Sequence, residues 1–352
     1  MNIEEILQKA IDMDAADIFI IAGLPITFKC HGHQERLPGD RMLPDSIAGL
    51  VDEIYAVSRR DRTNLEKGID DDFSFSLSQL GRFRVNIFRQ RGSLAAVIRV
   101  IRFGIPDPER MGIPENVLSL ADNKTGLVLV TGAAGSGKST TLACMIDRIN
   151  RSREAHIITM EDPIEYLHAH NRSIVSQREI FIDTKGYLDA LRSALRESPD
   201  VILLGEMRDY DTISAAITAA ETGVLLFSTL HTSSAANTIN RIVDIFPGNQ
   251  QTQVRGQLAQ LLRGVVCQQL VMTNEGVLAP AFEVLKVTPA IRNMIREGKL
   301  HQLDSAMQAA RAEGMITMDT SLLALYEQKK ISKETLLAMC TNYEFMVKKV
   351  GN

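Results

Sequence analysis

Eight consecutive residues, Gly132 to Ser139, read G-A-A-G-S-G-K-S and constrain this chain more than any other stretch. They satisfy G-x-x-x-x-G-K-[ST] at every fixed position. An apolar run, Leu127-Val128-Leu129-Val130, precedes them, and a helix-like run from Thr140 to Ile149 follows. Strand, glycine-rich loop and helix in that order make a phosphate loop. Gly132, Gly135 and Gly137 free the backbone to turn its N–H groups inward around an anion. The helix then starts with its positive end facing the same anion. In that arrangement Lys138 reaches the β- and γ-phosphates of a nucleotide and Ser139 ligates Mg²⁺, with Ser136 and Thr140 beside them. A merely flexible turn would explain the glycines, but not the Lys-Ser pair or the flanking strand and helix.

The chain has 352 residues, enough for about two or three domains. Hydrophobic residues make up 45% and the net charge is −4, so there is no global basic field of the kind that gathers nucleic acid. No apolar run approaches the ~18–20 residues of a membrane span. The start, Met1-Asn2-Ile3-Glu4-Glu5, is acidic and amphipathic, which is not the pattern of a secretory signal. Cys30, Cys144, Cys267 and Cys340 are far apart and form no C-x-x-C pair. Reduced thiols acting as small apolar side chains are expected, in a cytoplasmic setting.

Residues 1–103 predict an α+β domain. An amphipathic helix places Ile3, Ile6, Leu7, Ala10 and Ile11 on one face. Strands are expected at Asp17–Ile21, Ile26–Cys30, Asp72–Leu77, Arg82–Arg89 and Ala95–Ile101, with a helix over Ser46–Val57. Residues 104–114, rich in Gly and Pro, read as a linker. From residue 115 to 286 strands and helices alternate, which implies a parallel sheet covered by helices. The strand candidates there are Leu127–Val130, His156–Met160, Val201–Leu204 and Val224–Ser228. Leu258, Leu261, Leu262, Val265, Val266 and Leu270 read as one apolar helix face. Residues 287–352 predict a helical end-piece.

Three of these strands end in chemistry. Val201-Ile202-Leu203-Leu204-Gly205-Glu206 is a buried strand closed by a carboxylate. Beside a phosphate loop, Glu206 is placed to accept a proton from the attacking water and to help hold the Mg²⁺ shell. Ile157–Met160 leads into Glu161, Asp162 and Glu165, acids suited to positioning metal or water, with Glu161 foremost. Phe227-Ser228-Thr229-Leu230-His231-Thr232 offers Thr229 or His231 as a hydrogen-bond donor to a γ-phosphate. For each, a solvated strand end is the bland alternative. Gly81 to Arg91 interleaves Arg82, Arg84, Arg89 and Arg91 with Phe83 and Phe88. That pattern fits single-stranded nucleic acid, an amphipathic strand, or cationic fingers reaching a nucleotide on a neighbouring subunit. Lys329-Lys330 and Lys348-Lys349 read as a solvated face.

Together these motifs resemble the secretion-superfamily ATPases, and specifically the type IV pilus retraction ATPases of the twitching-motility family. Gly132–Ser139 matches the Walker A motif. Glu161-Asp162-Pro163-Ile164-Glu165-Tyr166 looks like the family's Asp box, Gly205-Glu206-Met207-Arg208-Asp209 its Walker B, and Ser228–Thr232 its His box. Ala290-Ile291-Arg292-Asn293-Met294-Ile295-Arg296-Glu297 resembles the A-I-R-N-L-I-R-E motif of retraction ATPases, with Met294 for Leu. The resemblance implies an α/β chain with a PAS-like α+β N-terminal domain, a RecA-like P-loop ATPase domain and a helical C-terminal subdomain. It also implies a homo-hexamer that hydrolyses ATP with Mg²⁺ and removes pilin from the fibre base. The expected partner is an inner-membrane platform protein, with the ring peripheral at that membrane. Arginines of the N-terminal domain complete such sites, and by position Arg84, Arg91 and Arg99 are the candidates. Two positions depart from the family: Val224 and Phe19 stand where histidines are usual.

Rival readings are an ATPase for pilus assembly or type II secretion, a slow regulatory paralogue, and a nucleic-acid translocase. The assembly enzymes usually carry an extra N-terminal domain and often a four-cysteine zinc motif, which the short chain and scattered cysteines do not match. The net charge argues against nucleic acid.

Overall fold

A computed structural model describes residues 1–30, 33–78, 80–101 and 104–351. The chain divides into two compact units, Met1–Gly104 and Ile105–Asn352. Residue 103, where the sequence placed the end of the first domain, lies outside the described residues.

The first unit runs α1 (Ile3–Asp12), β1 (Ala15–Ile20), β2 (Thr27–Cys30), β3 (His33–Arg36), α2 (Pro44–Ser58), α3 (Thr63–Glu66), β4 (Asp71–Leu77), β5 (Gly81–Gln90) and β6 (Ser93–Ile101). Helix α1 starts in a capping box, with Asn2 and Glu5 each accepting from the other's backbone N–H. The strands form an antiparallel sheet in the order β3-β2-β1-β6-β5-β4. Along β5, Phe83, Val85 and Ile87 are buried while Arg82, Arg84 and Phe88 are only partly covered, the alternation a half-buried strand requires. The β5–β6 hairpin turns on Arg91 and Gly92, with φ of 48° and 80°, the positive values a two-residue hairpin turn prefers. Asp71 is buried and satisfied by Tyr55, Arg60 and Asn64.

The second unit contains α4 (Glu115–Leu118), β7 (Gly126–Thr131), α5 (Lys138–Ser152), β8 (His156–Glu161), β9 (Ile174–Glu179), α6 (Tyr187–Ala194), β10 (Val201–Leu204), α7 (Tyr210–Glu221), β11 (Leu225–Leu230), α8 (Ala235–Asp244) and α9 (Gly248–Leu261). It continues with β12 (Leu262–Met272), β13 (Leu278–Lys286), α10 (Pro289–Glu297), α11 (Leu303–Ala309), α12 (Met318–Glu327), α13 (Lys333–Met339) and α14 (Tyr343–Val350). The sheet order is β13-β12-β7-β11-β10-β8-β9. All neighbours are parallel except β13, which runs antiparallel to β12. Strands β7, β10 and β11 are buried at every position, because helices cover both faces. Alternate residues feed opposite cores: Leu127, Leu129, Ile202 and Leu204 one, Val128, Val130, Val201 and Leu203 the other. The C-terminal helices pack into the first of these cores through Ile291, Ile295, Leu322, Leu336 and Met346.

The segment 258–270 corrects the sequence reading. Helix α9 stops at Leu261, and Leu262, extended at φ −64° and ψ 129°, begins strand β12. Its residues fill a slot between β7 and β13, pairing Val266 with Val130 and with Val284. That two-sided ladder satisfies the backbone of an apolar run whose spacing also suits a helix. Strands β3, β9 and β13 were not anticipated either.

Candidate active site

The C-terminal ends of β7, β8, β10 and β11 open on one cavity of about 390 Å³, lined by Lys138, Ser139, Thr140, Glu161, Glu206 and His231 among others. This is where ligands sit in parallel sheets, and the volume falls in the range of small-molecule sites. The second unit thus gathers four stretches that are up to about a hundred residues apart in sequence.

The loop between β7 and α5 is shaped by close approach as much as by turning. Gly132, Gly135 and Gly137 have φ of 145°, 76° and 88°. A Cβ on Gly132 would lie 2.3 Å from the backbone oxygen of Gln268, and one on Gly137 would lie 2.8 Å from that residue's side-chain nitrogen. Gln268 is buried on β12, and its side-chain oxygen accepts the Thr141 hydroxyl at 2.7 Å. One residue of β12 therefore backs both ends of the loop. The Lys138 ammonium donates to the carbonyls of Gly132 and Ala133, each at 2.9 Å. Burial lowers its pKa, opposed by the charges of Glu206 and Glu165. The Thr140 hydroxyl lies 2.8 Å from that of Tyr166. Ser136 Oγ is buried with no hydrogen-bond partner among the described residues.

Glu206 sits between the Arg208 guanidinium and the His231 imidazole. Arg208 Nη2 lies 2.7 Å from one oxygen and His231 Nε2 lies 3.5 Å from the other. The strand ends beneath are stitched together: Thr229 Oγ1 donates to Gly205 O at 2.7 Å, and Met207 N to Thr229 O at 3.1 Å. Gly205 is a packing requirement, since a Cβ there would meet the Tyr187 hydroxyl at 2.9 Å. Glu161 accepts from Thr159 Oγ1 at 2.6 Å, with Gln177 Nε2 at 3.4 Å. Desolvation by the surrounding protein outweighs those bonds and pushes its pKa up to about 7. Burial likewise lowers His168 to about 4, leaving it neutral, and raises the Tyr187 hydroxyl.

These residues fit a magnesium nucleotide. The unpartnered Ser136 hydroxyl and the glycine cradle suit phosphate oxygens. Lys138 at the start of α5 supplies the fixed charge, and Ser139 and Glu206 are oxygen donors of the type Mg²⁺ takes. Gln268, Tyr187, His168 and Gln177 gave no sequence signal, because each comes from a segment remote from the motif it supports.

The arginine candidates belong to the first unit. Arg84 and Arg99 are direct cross-strand partners on β5 and β6. Arg84 pairs with Asp72 at 2.6 Å and Arg99 with Asp17 at 3.0 Å. Like charges directly opposite are unfavourable, and the flanking acids offset this. Arg91 is exposed at the hairpin turn. In the second unit, Val224 lies just before β11, at the opposite end of that strand from His231.

The family model described as "Type II/IV secretion system protein" matches residues 1–330. The type IV pilus retraction ATPase PilT of Pseudomonas aeruginosa is 43% identical over 334 residues, covering 95% of this chain and 96% of that protein. A twitching motility protein of Neisseria gonorrhoeae is 43% identical over 319 residues, covering 90% and 85%. The crystal structure of the pilus retraction motor PilT with bound ADP superposes with a TM-score of 0.90 at 47% identity, covering 98% of each chain.

Proposed function

The chain belongs to the type II/IV secretion system protein family, and from that membership we propose that it is a hexameric ATPase whose hydrolysis of ATP drives type IV pilus retraction. The observation that carries this is the single cavity joining the phosphate loop to Glu161, Glu206 and His231, in a chain similar along nearly its whole length to a retraction ATPase.

In this reading, the loop N–H groups and Lys138 bind the β- and γ-phosphates, with Gly132, Gly135, Ser136, Gly137 and Thr140 shaping or lining the cradle. Ser139 and Glu206 hold Mg²⁺, which supplies charge neutralisation at the phosphates. Glu206 orients the attacking water and takes its proton, and Glu161, with a pKa near neutrality, is poised to pass that proton on. His231 donates to the γ-phosphate and reports its presence through Glu206. Arg84, Arg99 and Arg91 deliver positive charge to the transition state. The adjacency of Arg84 and Arg99 on one strand pair supports a joint role. The mechanical partner is an inner-membrane platform protein, with the ring peripheral at that membrane. Among the described residues no helix is long and apolar enough to cross a membrane.

The test is steady-state hydrolysis by the purified chain, wild type beside Lys138→Ala, with mass measured on the same sample. Mg²⁺-dependent turnover by a hexamer, lost in the variant, is expected. Wild-type but not variant protein should also restore retraction to cells lacking their own retraction ATPase. Hydrolysis without such rescue would move the chain to the assembly side of the family.

A further inference from the structure

Glu283 lies on β13, 4% exposed. Burying a carboxylate is expensive unless every oxygen is satisfied, and here each oxygen accepts at the start of a different helix. Oε1 takes the Ala235 N–H at 2.7 Å, and Oε2 takes the Met318 N–H at 3.3 Å. Ala235 opens α8 and Met318 opens α12, and each helix already has its own side-chain cap, Ser234 and Thr317. Those caps take the N–H groups of Asn237 and Thr320, two residues further in, so the carboxylate takes a separate, first-residue N–H of each helix. What it adds is a link between them.

That link reaches the site from two sides. Only His231–Ser234 separates the end of β11 from α8, so fixing Ala235 fixes the far end of the segment that carries His231. Within it, Thr232 Oγ1 lies 2.7 Å from Thr238 Oγ1 on α8. On the other side, Glu283 on β13 stands directly opposite Cys267 on β12. The Cys267 sulfur accepts the hydroxyl of Thr131 at 3.2 Å, one residue before the phosphate loop.

We propose that Glu283 is a positioning residue for hydrolysis. It holds the His231 segment to α12, so that displacement of the C-terminal helices is transmitted to the side chain facing Glu206. This rests on the role given to His231 above.

The experiment measures kcat and nucleotide affinity for the intact hexamer in wild type, Glu283→Gln, His231→Ala and the double variant. Glu283→Gln is expected to lower kcat about tenfold while affinity for a fluorescent ADP analogue stays within about twofold. In the His231→Ala background it should cost nothing further, because both changes interrupt one path. Ala235→Pro is the second variant. Proline suits the first position of a helix, and Ser234 at φ −147° and ψ 159° already has the conformation a residue before proline prefers. It replaces the N–H that Glu283 accepts at 2.7 Å with a ring carbon from which the carboxylate must move away, breaking the link from the α8 side, and should reproduce the loss of kcat. Additive losses in the double variant, or losses that merely follow the folded fraction, would overturn the tether alone. A fully active His231→Ala would overturn the His231 assignment and the tether with it.

Discussion

The side-chain oxygen of Gln268 accepts the Thr141 hydroxyl at 2.7 Å, joining β12 to the first turn of α5. The bond is buried, so removing one partner strands the other. Gln268→Ala should cost about 1–3 kcal/mol of stability and weaken nucleotide binding through a looser loop. Gly132→Ala should be worse than Gly137→Ala. The first meets a backbone oxygen at 2.3 Å, which cannot rotate away, whereas the second meets the end of a side chain at 2.8 Å. Thermal unfolding with and without ADP checks the order. Equal damage at both glycines would argue that backbone conformation alone sets the requirement.

Glu206→Gln removes the charge but keeps the shape of the residue between Arg208 and His231. ATP binding should persist while turnover falls by about a hundredfold or more. Near-normal hydrolysis would sink the assignment of Glu206 as the base.

Glu161 gives a prediction of opposite sign for stability and activity. Its carboxyl ordinarily titrates at 4.5 and is pushed up to about 7 by desolvation. Between those values the folded chain binds more protons than the unfolded one, so stability falls as pH rises through this interval and stays lower above it. The whole shift corresponds to about 3 kcal/mol, and solvent at the cavity mouth reduces this to about 1–2 kcal/mol. Glu161→Gln should therefore raise the melting temperature at pH 8 while leaving it little changed at pH 4, and should lower kcat. A variant less stable at pH 8 would mean that hydrogen bonds to the carboxylate outweigh its desolvation.

The parts of the site that were legible in the sequence are those in which one short segment carries both the geometry and the chemistry. Gly132–Ser139 encodes its own turn and its own lysine, and Glu206, Glu161 and His231 each close an apolar strand. Gln268 and Tyr187 were hidden because their work is done across the sheet, on Gly137 and Gly205. Strand β12 was hidden for a different reason. Leu258, Leu261 and Leu262 fit a helix that does run to Leu261, and nothing local tells Val265 and Val266 that β7 and β13 await them on either side. Strand β9, polar at Ser176-Gln177-Arg178, is an edge strand beside β8, and it lacks the apolar run that marks the central strands.

Val224 departs from the histidine usual in the family, yet it precedes β11, whereas His231 follows it. The six strand residues between them make seven steps of about 3.3 Å, which puts the two roughly 23 Å apart. Val224→His should therefore leave kcat within about twofold of wild type, and its main effect should be a loss of stability from placing a polar ring at a 6% exposed position. A rise in kcat well beyond that would assign position 224 a part in hydrolysis that its place at the far end of β11 does not explain.

Arg84 and Arg99 stand opposite one another on β5 and β6, each tied to an acid of its own sheet. If they serve a nucleotide held by a neighbouring subunit, defects in the two components should complement. Lys138→Ala alone and Arg99→Ala alone should each be nearly inactive. Hexamers assembled from an equal mixture should regain a fraction of wild-type turnover, because some interfaces then pair an intact Arg99 with an intact Lys138. Arg84→Ala mixed with Lys138→Ala should behave alike. Mixtures as inactive as their components, with exchange of subunits verified by mass, would place the arginines on the nucleotide of their own chain or remove them from catalysis. Full activity of Arg99→Ala by itself would reduce its pairing with Asp17 to sheet stabilisation.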